Sequence, residues 1–254
     1  MYMPQIHYSV AAPMSNYHMP SVAMQPSQQH YCNTSFSAAQ SNYSTITHSL
    51  TDFTPTQFLE NPIFSPQHFI TKPTRFIGKA DEIKEFITEA FEKTTNHALQ
   101  SNIEITICNK EEVKKAHERF NGIWSDGIQG FCINRHGKGI SHIFVKQDEL
   151  AHIMLTIGHE IGHAQSPPLR DIVEEEAKAF AFSMAFMNTI REHNIAGLGS
   201  ALVEHLPAKN GIHNVGFNLV ADKVRCGMSP IEVFMDFVQK GLNKTNTEGL
   251  YGLL

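Results

Sequence analysis

The stretch "IGHEIGHAQSPPLRDIVEEEAKAFAF", residues 157–182, places His159 and His163 four apart, with Glu160 directly after the first. On a helix, positions i and i+4 project from one face about one turn apart, so both imidazoles can reach a single divalent ion. Glu160 falls on the adjoining face, close to such an ion but outside its ligand set. A carboxylate there takes a proton from metal-activated water, which is the chemistry of an H-E-x-x-H metallopeptidase. In a chain with 15 histidines, random placement yields about 0.06 matches to this pattern, so the surroundings must decide its meaning.

A zinc site of this kind needs a third protein ligand and leaves a fourth position for water. Pro167 and Pro168 stop the first helix, and a second begins soon after, carrying Glu174, Glu175 and Glu176. Consecutive residues point about 100° apart on a helix, so at most one of the three aims squarely at the ion. Gly158 and Gly162 on the first helix and the stripe of Ala181 and Ala185 on the second read as surfaces built for close approach. Glu174 heads that alanine stripe, whereas Glu175 lies above Phe182 and Phe186, and Glu176 above Ser183 and Met187. Glu174 is therefore the expected third ligand, with Asp171 or another of the glutamates as the alternative. Glu174 also has structural readings, in a capping box with Asp171 and an i, i+4 pair with Lys178.

The elements that must hold these residues follow from periodicity. Residues 79–97 carry a helical apolar stripe, 103–108 alternate like a strand, and 110–120 read as a charged surface helix with Lys110, Lys114, Lys115 and Arg119 in solvent. "IQGFCIN" (128–134) and "ISHIFV" (140–145) form an expected hairpin, which feeds a helix over 148–164. The second helix runs to about Asn194 and is apolar nearly all round from Ala177 to Met187, with Lys178 its one charge there. Helices are expected near 199–206, 213–226 and 229–242, the last opened by Ser229, Pro230 and Glu232 as a capping signal.

"LTIGHEIGH" (155–163), followed by "EEEAKAFA" (174–181), resembles the ImmA/IrrE type of zinc metallopeptidase. That family's second helix carries E-x-E-A-x-x-F-A, matched here by Glu174, Glu176, Ala177, Phe180 and Ala181, and the resemblance implies that the first glutamate ligates zinc. Lys178 stands where the family usually carries asparagine. The resemblance spans about 60 residues, 128–187, including the hairpin that leads into the first helix. A metzincin pattern is excluded, because the glycine and histidine it requires beyond His163 are replaced by Ser166 and Leu169.

Composition bounds the rest. Residues 1–51 contain no Asp, Glu, Lys or Arg, so about 1–60 reads as a low-complexity polar tail ahead of one domain over 61–254. A net charge of −5 gives no electrostatic reason to expect a nucleic-acid partner. No apolar run spans a bilayer, and Cys32, Cys108, Cys132 and Cys226 are too scattered for a thiolate site or a disulfide framework, which points to the cytoplasm. The expectation is an α+β, zincin-like domain: a small β-sheet packed on the H-E-x-x-H helix and the following ligand-bearing helix, with further C-terminal helices. His159, His163 and Glu174 would hold Zn2+, and Glu160 would act as general base on a protein or peptide substrate. The alternative is a non-catalytic module that zinc staples together. His152, His213 and Tyr251 are weaker candidates for lining the cleft or stabilising an oxyanion.

Overall fold

The computed structural model describes residues 66–120, 122–135, 139–203 and 212–251, with backbone alone at 212–214 and 242–251. The expected tail over 1–60 lies outside the described residues. In chain order come β1 (Phe76–Ile77), α1 (Lys84–Thr95), β2 (Ile103–Cys108), α2 (Lys110–Arg119), β3 (Gly130–Ile133), β4 (Ser141–Lys146) and β5 (Asp148–Glu149). They are followed by α3 (Leu150–Ala164), α4 (Ile172–Glu192), α5 (Ile212–Arg225) and α6 (Pro230–Tyr251). This is an α+β arrangement, and none of the described helices is long and apolar enough to cross a membrane.

The sheet takes its sidedness from period-2 alternation. Its order is β2-β4-β3, with β2 parallel and β3 antiparallel to β4. Ile105, Ile143 and Cys132 are in register across the three strands, and they join the apolar core that α3 completes. On the other face Phe131 stacks on Phe144 at 5.1 Å, and Val113 and Ala116 of α2 are buried. The expected hairpin is present as β3 and β4. Gly130 lets β3 press against α3, since a Cβ there would lie 2.8 Å from the Thr156 methyl carbon.

α3 is buried along most of its length, and α4 folds back over it. The contact is a glycine notch filled by large side chains. A Cβ on Gly158 would meet the Phe186 ring at 2.7 Å, and one on Gly162 would meet Ala179 Cα at 2.8 Å and Phe182 Cβ at 3.1 Å. Phe180, Phe182 and Phe186 are essentially inaccessible, each contributing on the order of 1.5–3 kcal/mol of apolar burial. Asp171 caps α4 by accepting from the backbone N–H groups of Val173 and Glu174.

The C-terminal elements depart from expectation in one place. Instead of a helix from 199, the chain makes a short 3-10 turn at Ile195–Gly197, and Leu202 pairs antiparallel with Ile70. Asn194, Ala196 and Gly197 all have positive φ, which ends helical propagation; residues 204–206 lie outside the described residues. α6 opens with the expected capping box, in which Ser229 N–H donates to Glu232 at 2.7 Å, and it extends beyond Leu242.

Because the notch has no spare volume, Gly162→Val should overpack the α3–α4 contact and destabilise the fold by about 1–3 kcal/mol. Thermal unfolding of the metal-free protein measures it, and an unchanged melting temperature would contradict this packing.

Candidate metal centre

His159 and His163 sit on one face of α3, their rings edge-on at 4.9 Å between centroids. Both Nε2 atoms turn toward the same carboxylate, that of Glu176 on α4. His159 Nε2 lies 3.4 Å from Glu176 Oε2, and His163 Nε2 lies 3.8 Å from Oε1. One ligand atom from each of the three residues falls within 4.8 Å of the other two, and among the described residues this is the one such cluster. Ligands bonded to tetrahedral zinc at about 2.1 Å are themselves roughly 3.4 Å apart, so the separations fit a single ion of that size. The donor set, two imidazoles and one carboxylate, also suits zinc. His159 is 2% exposed, whereas His163 and Glu176 are 18% and 17% exposed, so the cluster opens to solvent on their side.

Glu174 is not part of this cluster. Its carboxylate pairs with the Lys240 ammonium of α6, and the carboxylate grouped with the two histidines is that of Glu176, one of the alternatives to the expected Glu174. Two residues apart means about 200° around a helix, so Glu174 and Glu176 leave α4 on nearly opposite sides. The rotation of α4 is set by the ridge of Ala179, Phe182 and Phe186 entering the glycine notch, and not by the stripe of Ala181 and Ala185. Gly216 lets α5 pass close to α4 beside Glu176, because a Cβ at that position would meet Ala177 N at 3.0 Å and Glu176 Cβ at 3.2 Å. A glycine inside a helical pattern is the signal that reveals it in the sequence.

Glu175 occupies the ridge itself and supports the site from behind. Its Oε1 lies 2.8 Å from His163 Nδ1, while its Oε2 accepts from the Leu169 backbone N–H at 2.7 Å and from Lys178 at 2.9 Å. Lys178 also donates to Ser166 Oγ at 3.1 Å, so it pairs with Glu175 and not with Glu174. The Asn134 side-chain amide donates to the carbonyls of His163 and Ser166, fastening the end of β3 to the end of α3.

These contacts set the protonation equilibria. Burial pulls the His163 imidazole down, but the Glu175 hydrogen bond and the charges of Glu176, Glu160 and Glu175 outweigh it and raise its pKa. Burial pushes Glu175 up, against the stronger combined pull of His163, Lys178 and the Leu169 N–H, which leaves it depressed. Burial holds Lys178 below the usual lysine range despite Glu175. A proton and a metal ion thus compete for His163 Nε2.

Glu160 of α3 is 6% exposed, and its charge adds to burial in raising the Cys132 thiol of β3. Cys108 is likewise pushed up, to about 12, by burial and then by Glu112. β3 ends its sheet on this side among the described residues, which leaves its outer edge open. His152 lies at the start of α3 beside Asp148, at 3.3 Å. His213 and Tyr251 fall on α5 and α6, and their side chains lie outside the described residues.

No family model, curated protein or solved structure matches the chain.

Zinc bound per chain separates the two glutamates. Glu176→Gln should cost at least tenfold in zinc affinity, whereas Glu174→Gln should weaken the Lys240 pair and leave affinity unchanged. The reverse result, read by elemental analysis and chelator competition, would show that α4 turns the other way.

Proposed function

We propose that this chain is a zinc-dependent metallopeptidase of zincin-like fold and ImmA/IrrE type, hydrolysing peptide bonds in a protein or peptide substrate. The observation that carries this reading is the convergence of His159 Nε2, His163 Nε2 and the Glu176 carboxylate, with Glu160 one residue from the first of them. Bound there, zinc would act as a Lewis acid on the scissile carbonyl and lower the pKa of water.

The chain's own groups divide the remaining work. His159, His163 and Glu176 hold the ion, and Glu175 keeps the His163 Nδ1–H engaged so that Nε2 presents its lone pair. Glu160 takes a proton from water as its oxygen attacks the carbonyl carbon. It then returns that proton to the leaving nitrogen as the C–N bond breaks. No strand among the described residues covers the outer edge of β3, which would offer main-chain donors and acceptors to an extended peptide. The unpaired cysteines Cys108, Cys132 and Cys226 support a reducing compartment, and we place the protein in the cytoplasm.

Glu160→Gln tests the assignment, because the amide nearly preserves shape while removing the base. Peptide hydrolysis should fall by at least a hundredfold with zinc content unchanged. Hydrolysis that persists in the variant would remove Glu160 from the reaction. A zinc-loaded wild type that cleaves no member of a diverse peptide library would favour the reading of zinc as a staple between α3 and α4.

A further inference from the structure

Lys178 is the one fully buried lysine or arginine among the described residues. It sits in a helix whose neighbouring positions, Ala177, Ala179, Phe180, Ala181 and Phe182, are all core. An ammonium in such surroundings is costly unless charge and hydrogen bonds compensate it, and a methionine or leucine would fill the space without that cost. The compensation is specific, coming from Glu175 Oε2 at 2.9 Å and Ser166 Oγ at 3.1 Å.

What Lys178 holds is a carboxylate with a further contact. Glu175 Oε2 receives two donors from different segments, the ammonium from α4 itself and the Leu169 N–H from the turn after Pro168. Two donors on one oxygen fix the carboxylate plane, and the second oxygen is thereby directed at His163 Nδ1. With Nδ1–H donating to Glu175, the other ring nitrogen is the one left to face Glu176.

Resting on the metal site proposed above, we infer that Lys178 is a positioning residue for that site, acting through Glu175 to lock the His163 ring with Nε2 toward the metal position. An imidazole ordered beforehand loses less freedom on binding, so the contribution appears in metal affinity and not only in fold stability.

The test compares zinc affinity, by competition with a chromophoric chelator, in the full chain and in Lys178→Met, Glu175→Gln and the double variant. The wild type is expected to bind one zinc. Each single variant should bind one zinc at saturation, but roughly tenfold or more weakly. The double variant should be no weaker than Glu175→Gln alone, because the lysine acts through the carboxylate. Affinity that is unchanged or tighter in Lys178→Met overturns the inference even if melting temperature falls, and so do additive losses in the double variant. Should Lys178→Met fail to fold, Lys178→Gln, which keeps a polar group at the position, is read against the same outcomes. A wild type that binds no zinc overturns the metal site itself, a result distinct from native affinity in the lysine variants.

Discussion

The close approach of α3 and α4 is the constraint on which the rest of the structure depends. Zinc bonds of about 2.0–2.2 Å leave no slack, so ligands on two helices converge only if the helices meet at one separation and one rotation. Gly158 and Gly162 set the separation, and Phe186, Phe182 and Ala179 set the rotation by filling the notch those glycines leave. With that ridge docked, Glu175 faces the back of His163, Glu176 flanks both imidazoles and Glu174 turns away to Lys240. One packing decision therefore assigns a different role to each of three consecutive glutamates.

The second constraint is electrostatic. The site gathers Glu160, Glu175 and Glu176 around two histidines at the edge of a dry core, where uncompensated charge is expensive. Lys178 of α4 and the Leu169 N–H of the proline turn compensate Glu175, Ser166 accepts from Lys178, and the Asn134 amide at the end of β3 binds the carbonyls of His163 and Ser166. The polar network thus ties together the segments that frame the cluster, while the aromatic core of Phe180, Phe182 and Phe186 holds them from the other side.

Much of this was legible because the deciding signals were local. The two histidines at i and i+4, the caps at Asp171 and Ser229, the stop at Pro167 and the alternation of Ile103, Ile105 and Ile107 each act within a few residues. The third member of the cluster is not legible, because its choice depends on how one helix is rotated against another. Matching the small residues of α3 to the small residues of α4 favours Glu174. A glycine notch is filled better by large side chains, and pairing it with the phenylalanine ridge gives Glu176. The positive φ at Ala196 is hidden in the sequence, since alanine carries no turn signal. Lys178 looked like a partner for Glu174 at i+4, yet burial brings it to Glu175 at i+3.

X-ray absorption on the zinc-loaded wild-type protein addresses the central claim most directly, because it reads the atoms around the ion without reference to activity. The account expects a shell of nitrogen and oxygen only, with two imidazoles and carboxylate oxygen at about 2.0–2.2 Å. A sulfur neighbour near 2.3 Å, an all-oxygen shell without imidazole scattering, or no zinc retained after desalting would contradict it.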